Sequence, residues 1–225
     1  MAKGDLSELI RQWKAQQEAM RRRLIVCPIK GLPRFIAGAD AAFSADKKTV
    51  FAAAVVYDRQ ENRIVEIAHA TTPATVPYVP GYLTFREGPA VLAAIRSLQT
   101  KFELIMFDGQ GYAHPRRCGI ASYLSIELDM PAIGVAKSRL IGTFDEPPPE
   151  AGASTPLMDG DEQIGIVLRT RPGVRPLFIS IGHRADLESA GRVVMACCPR
   201  YRVPEPTRQA DIEVARLKQK HCAGR

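Results

Sequence analysis

Leu104-Ile105-Met106-Phe107-Asp108-Gly109-Gln110-Gly111 is a short apolar run that stops on a carboxylate and then turns through two glycines. In open α/β sheets the ligand crevice lies beyond the carboxyl ends of the strands, and glycine lets the backbone turn sharply there. The run therefore reads as a central strand that delivers Asp108 to such a crevice. A second run, Phe35-Ile36-Ala37-Gly38-Ala39-Asp40, ends in the same way. Neither carboxylate has a cationic residue beside it in sequence, so the pair points to a site for a divalent metal ion.

Outward from these two strands the hydrophobic periodicity supplies the rest of the framework. Leu6, Leu9, Ile10, Trp13, Met20 and Leu24 recur at helical spacing after the candidate cap Asp5, which predicts an amphipathic helix over 5–24. Strands follow at 34–39, 50–57 and 62–70, and their short polar connections make them antiparallel neighbours. A proline-rich loop at 71–83 leads to a helix at about 84–100. Next come a strand at 103–107, a helix at about 115–128, a strand at 131–136 and a Pro/Gly-rich stretch from 142 to 160. Strands at 162–169 and 176–181 precede helices at about 186–197 and 207–220. A meander followed by helix–strand alternation predicts an α/β fold with one mixed sheet and helices on both faces. Pro147-Pro148-Pro149 is the one linker-like stretch, and strands on both sides of it argue for a single domain over 1–225.

The composition narrows the function classes. With 46% hydrophobic residues in 225 there is ample material for a core. No apolar run reaches the ~18 residues of a membrane span, and the N-terminus lacks a signal peptide's apolar core, so a soluble cytoplasmic protein is expected. The five cysteines are scattered without metal-type spacing, which suits reduced thiols and assigns them no chemistry. Residues 1–30 hold seven Lys/Arg and three Asp/Glu, residues 199–225 the same numbers, and 31–198 seventeen against eighteen. The net charge of +7 thus sits as +4 at each end and −1 in the centre. A basic periphery around a neutral centre with candidate metal carboxylates fits a polyanion whose reacting phosphate meets a metal. The densest cluster, Arg21-Arg22-Arg23, reads equally as a solvated helix face.

Several residues have chemistry to offer. Glu87 lies in Thr84-Phe85-Arg86-Glu87, either a capping box in which it reaches back to Thr84 or a third acid facing Asp40 and Asp108. Three such acids can hold two Mg²⁺ ions roughly 3.5–4 Å apart for phosphodiester hydrolysis. Hard Mg²⁺ prefers oxygen ligands, which suits carboxylates rather than His or Cys. Asp211 is a possible fourth acid or else an exposed charge paired with Arg208. His114 precedes Pro115, which stands at a plausible first helical position, and an imidazole near carboxylates can carry protons or, charged, hold a phosphate. Arg116 and Arg117, near the same helix start, are candidates for backbone phosphates. Lys137 follows Ile133-Gly134-Val135-Ala136 at a strand's end, where it can neutralise charge developing on a phosphate. His69, His183 and His221 read as structural. In Pro77-Tyr78-Val79-Pro80-Gly81-Tyr82 two prolines clamp a Tyr-Val pair, presenting either a rigid wedge for base steps or a Tyr78 packed in the core.

Taken together, these stretches resemble the endonuclease V family of deoxyinosine-directed DNA repair nucleases. The matching segments are Ile36-Ala37-Gly38-Ala39-Asp40, Pro77-Tyr78-Val79-Pro80-Gly81 with Phe85-Arg86-Glu87, and Phe107-Asp108-Gly109-Gln110-Gly111 with His114-Pro115-Arg116. Ile133-Gly134-Val135-Ala136-Lys137 and Pro204-Glu205-Pro206-Thr207-Arg208 complete the set. Any one is weak, and their combination is highly specific.

The resemblance implies a ribonuclease H-like fold. It makes Asp40, Asp108 and Glu87 the metal-site acids, the first two the more direct ligands, with His114 and Lys137 at further active-site positions. Pro77, Tyr78, Val79 and Pro80 become a minor-groove wedge, Val79 standing where the family usually has Ile. Gly81, Arg86, Gly109, Gly111 and Arg116 join the expected DNA contacts, with amides of 81–82 and 109–111 lining a pocket for the rotated base. The expected activity is Mg²⁺-dependent hydrolysis of the second phosphodiester bond 3′ to deoxyinosine, in double- or single-stranded DNA, with Mn²⁺ able to substitute. The products carry a 3′-hydroxyl and a 5′-phosphate, and the protein acts as a monomer. The alternatives are a nuclease for inosine-containing RNA or branched DNA, or a DNA-binding module without catalysis.

Overall fold

The computed structural model describes residues 3–223. Helix α1 (Lys3–Arg22) leads into the meander β1 (Phe35–Phe43), β2 (Thr49–Asp58) and β3 (Arg63–Pro73). Then follow α2 (Leu83–Arg96), β4 (Leu104–Asp108), α3 (Ile120–Leu128), β5 (Ala132–Ala136), β6 (Ser154–Asp159), β7 (Glu162–Leu168), β8 (Leu177–Ile181), α4 (Leu187–Ala196) and α5 (Glu205–Ala223). All eight strands form one sheet in the order β3-β2-β1-β4-β5-β8-β7-β6. β1 runs antiparallel to β2, while β1, β4 and β5 are mutually parallel neighbours. Parallel strands end at the same edge, and the register from Ile36↔Leu104 to Ala39↔Phe107 carries on to bring Asp40 beside Asp108.

Period-2 alternation divides the core between the two faces. Ala37, Ala39, Ile105 and Phe107 pack with Ala90, Val91 and Ile95 of α2 and Ala121 and Leu124 of α3. Ile36, Met106, Ile133 and Ile179 face the other way, toward Val193 and Val194 of α4. Phe51 and Ala53 meet Val214 of α5. Helices therefore cover both faces, as the alternation of elements predicts. Gly38 decides how α5 seats, because a Cβ there would lie 2.1 Å from the Pro206 carbonyl oxygen. Only glycine lets the start of α5 press directly on β1.

Four features differ from expectation. The strand expected at 34–39 runs on to Phe43, so Asp40 does not end it but lies inside β1, opposite Ala53 of β2 and just beyond the last residue paired with β4. The helix expected from about 115 begins at Ile120, so Pro115, Arg116 and Arg117 belong to a loop. Arg117 sits at φ +54 there, and Gly119 donates to Gly111 O at 2.9 Å, which folds the loop back on the Asp108 turn. The Pro/Gly-rich stretch at 142–160 contains β6, an edge strand in which only Leu157 is buried. One buried side chain leaves no period-2 signal, and Pro156 is tolerated because edge strands can spare a donor. Asp5 lies within the first turn of α1 rather than capping it.

Candidate active site

Asp40, Asp108 and Asp211 converge at the carboxyl edge of the sheet. One oxygen from each lies within 4.8 Å of the others. Asp40 shares the face of Gly38 two residues back, so the helix that Gly38 admits is the one that brings Asp211. Lys137, the residue after β5, joins them, with Nζ 2.5 Å from Asp108 and 2.9 Å from Asp211. Asp108 thus has a cationic partner that its sequence neighbours do not reveal. Asp211 pairs with Lys137, and Arg208 with Glu205 at 2.6 Å, so the alternative pairing of Asp211 with Arg208 does not form.

The electrostatics are those of too many acids for one lysine. Burial, then repulsion from Asp108, lifts Asp40 to about 7. Burial also lifts Glu87, with Asp40 and Asp108 adding to it, to about 8. Asp108 is raised by burial and partly relieved by Lys137. Burial works against the charge on Lys137, but Asp108 and Asp211 more than offset it and hold its pKa above the ordinary range. A half-buried, all-oxygen, excess-negative cluster suits a hard divalent cation. Glu87 is within electrostatic reach of this cluster from α2. It is not engaged in a capping box, since Tyr82 stands at the N-cap with no side-chain cap bond and Thr84 lies inside the helix.

Beside the acids opens a cavity of about 390 Å³ whose lining includes Tyr78, Gly81, Leu83, Gly109, His114 and Leu140, together with Asp108 and Lys137. That size is within the usual range for small-molecule clefts. Its mouth carries exposed apolar side chains: Tyr78 is 61% and Leu140 50% exposed. Tyr78 is thus presented to solvent rather than packed in the core.

The loop that presents it is tightly built. Tyr82 N–H donates to Val79 O at 3.0 Å, and Gly81 has φ +77. Proline and glycine at the second and third positions are what a type II turn favours. The carbonyl of Gly81 then accepts from three side chains: His114 Nε2 at 3.0 Å, Arg116 Nη2 at 2.5 Å and Gln17 Nε2 at 3.2 Å. Arg116 also lies over the Tyr82 ring at 4.0 Å, and Trp13 of α1 stacks on Phe85 with centroids 5.0 Å apart. His114 accepts from Arg116 N–H at Nδ1, which makes Nε2 the protonated nitrogen of a neutral ring. Burial, then the charge of Arg116, pushes its pKa down to about 4. As a neutral ring it clamps the turn through the Gly81 carbonyl.

Some expected contacts lie elsewhere. Arg86 donates to Lys47 O at 2.7 Å and rests over Phe43 at 4.5 Å, bracing the β1–β2 turn. Gly111 does not line the cavity: its N–H goes to Ser180 Oγ at 2.8 Å, and a Cβ on it would strike Ile181 O. The amides of Tyr82 and Gly109 are likewise used internally, by Val79 O and Val135 O. Arg117 is held by Asp159 and Glu162 of the β6–β7 hairpin at 2.7 Å each. Gln17 is the residue the sequence reading missed. It is fully buried on α1, and its signal is a glutamine interrupting the apolar stripe of Ile10, Trp13 and Met20.

A mixed sheet with carboxylates gathered where the pairing of its parallel strands β1 and β4 stops, beside an open cavity, is the site of an α/β nuclease of ribonuclease H-like fold. The family model for endonuclease V matches residues 18–212, and the chain belongs to that family. It is 51% identical over 198 residues to endonuclease V of Roseiflexus sp. (strain RS-1), covering 88% of each chain. The crystal structure of endonuclease V from Streptomyces avermitilis superposes with a TM-score of 0.90 at 40% identity, covering 94% of each chain. Endonuclease V of Ciona intestinalis, solved with a 23mer DNA containing an inosine followed by a ribo-adenosine, gives 0.83 at 25% identity, over 98% of this chain and 99% of that one.

Proposed function

We propose that this chain is a Mg²⁺-dependent DNA repair endonuclease that recognises deoxyinosine and hydrolyses the second phosphodiester bond on its 3′ side, leaving a 3′-hydroxyl and a 5′-phosphate. The observation that carries this reading is that cavity and acids are one site, with Asp108 and Lys137 belonging to both. A base rotated into the cavity leaves its own strand running past the carboxylates. Hypoxanthine pairs less well with thymine than adenine does, so its extrusion costs less. The inosine in the DNA bound by the Ciona protein supports the same lesion.

Asp40, Asp108 and Asp211 would hold the cation, with Glu87 close behind them. When bound, the cation supplies polarisation of a phosphate oxygen and a water of lowered pKa. Lys137, aimed by Asp108 and Asp211, neutralises charge that grows on the phosphate. Pro77, Tyr78, Val79 and Pro80 enter the duplex as a wedge, and Gln17, His114 and Arg116 hold that wedge by the Gly81 carbonyl. Gly109 forms part of the cavity floor. The chain is taken to act as a monomer. Among the described residues no helix is long and apolar enough to cross a membrane.

The ribo-adenosine after the inosine in the Ciona complex favours a second reading, cleavage of inosine-containing RNA. Nicking of matched strands bearing deoxyinosine, inosine or adenosine, with Mg²⁺ or Mn²⁺, separates the two. Faster nicking of the deoxyinosine strand is expected. Binding without nicking of any strand would make the chain a DNA-binding module.

A further inference from the structure

The segment between α4 and α5 carries an aromatic–arginine surface that the reading above does not use. Tyr201 is 41% exposed. The guanidinium of Arg208 lies over its ring at 4.1 Å, and that of Arg200 at 5.6 Å. Arg208 also donates to Glu205 at 2.6 Å, which fixes its plane against the ring. Arg202 fastens the segment to the active-site edge, donating to Lys137 O at 3.2 Å, Pro176 O at 2.9 Å and Arg175 O at 2.6 Å.

Its position relative to the acids is set by two elements. Arg208 and Asp211 are three residues apart on α5, one helical turn, so their Cβ atoms are about 5–6 Å apart. The backbone that Arg202 grips belongs to Lys137, whose Nζ binds Asp108 and Asp211. The cavity with Tyr78 is built where α2 and α3 cover one face of the sheet. Tyr201 lies against Arg208 of α5, the helix that packs on the other face. The carboxylates stand at the edge between them. A nucleic-acid strand with one base in the cavity and a phosphate at the carboxylates therefore passes toward Tyr201 as it leaves.

We propose that Tyr201, backed by Arg208 and flanked by Arg200, is a stacking platform for an unpaired nucleobase of the cut strand, on the far side of the reacting phosphate from the damaged base. This rests on the nuclease reading above. An exposed aromatic ring beside arginines is the arrangement by which proteins hold single strands without reading sequence. The platform would keep the strand taut across the carboxylates after the wedge has opened it. Its contribution belongs to binding, so it is expected in KM and in affinity rather than in kcat.

The test uses the full chain and single-stranded inosine-containing DNA oligonucleotides, constant on the lesion side and shortened one nucleotide at a time beyond the cut. Wild type should lose about tenfold in kcat/KM and in affinity when the base that reaches Tyr201 is removed, as for one stacked base. Tyr201→Ala should show that loss already on the longest strand and no further loss at that shortening step. Tyr201→Phe keeps the ring and should match wild type, while thermal melting confirms that both variants fold. An alanine variant that answers shortening as wild type does overturns the platform. Wild type that binds these strands but nicks none defeats the nuclease reading alone, because the affinity series still decides the platform.

Discussion

Gln17 of α1 donates from Nε2 to the carbonyl of Gly81 at 3.2 Å and to that of Cys118 at 2.9 Å, while its Oε1 accepts from Arg116 Nε at 2.5 Å. One fully buried amide thus joins the N-terminal helix, the wedge turn and the loop after Asp108. Gln17→Leu leaves these partners unsatisfied, which costs ~1–3 kcal/mol per stranded buried group. Chemical denaturation should show that loss. Nicking assays should show a raised KM for inosine strands with kcat less affected, since the wedge is loosened and the acids are untouched.

Tyr78 is held out to solvent by the Val79–Tyr82 turn. Tyr78→Ala should weaken discrimination between inosine and adenine duplexes by ~1–3 kcal/mol, the range for base–aromatic stacking. Competition binding on the two duplexes measures it. Equal affinity losses on both would remove the wedge role.

Asp108 is shared by the acid cluster and the cavity. Asp108→Asn removes a charged oxygen ligand and one partner of Lys137 without altering the Tyr78 turn. Nicking in Mg²⁺ should fall to background while binding to an inosine duplex stays measurable by gel shift.

The raised pKa values of Asp40, about 7, and Glu87, about 8, make the metal-free protein pH-sensitive. An acid whose folded pKa exceeds its unfolded value binds its proton more tightly when folded. Stability is then greatest below the unfolded value of about 4 and is lost as pH rises through the folded ones. Thermal melts in EDTA should fall between about pH 4 and pH 8 on account of these groups. Mg²⁺ should flatten that fall by replacing the protons, and identical profiles with and without Mg²⁺ would argue against a metal at these acids.

Gly38→Ala places a methyl group where the Pro206 carbonyl lies. Overpacking of this kind typically costs ~1–3 kcal/mol. Since α5 must shift to relieve it, Asp211 moves away from Asp40, and a Mg²⁺ titration should show weaker binding. A variant with unchanged Mg²⁺ affinity would show that Asp211 is not needed there.

Asp108 at the end of β4, the meander and the mixed sheet were legible because short apolar runs bounded by polar residues are local signals, whereas Asp40 lies inside β1, which continues to Phe43 through its pairing with β2. The proline-clamped loop at 77–82 was legible too, but the sequence leaves open whether Tyr78 stands exposed or packs in the core, and the structure settles it. Other features gave no local signal. β6 buries one side chain, and the loop from His114 to Gly119 is shaped by contacts to Gln110, Gly111 and Gly81 rather than by its own helical pattern. The contacts of His114 were not legible either: burial and Arg116 favour its neutral ring, which bonds the Gly81 carbonyl 33 positions away.

By itself, the sequence determined that a central strand ends in Asp108 and which family the motifs resemble, since these are carried by residues within short segments. Tertiary structure alone decided that Lys137 pairs with Asp108, that Asp211 joins the cluster through Gly38, and that Gln17 braces Gly81 across 64 positions. Charges, cavities and hydrogen-bond partners are properties of what is near in space. A chain's own order does not encode that nearness until the sheet brings its distant ends to one edge.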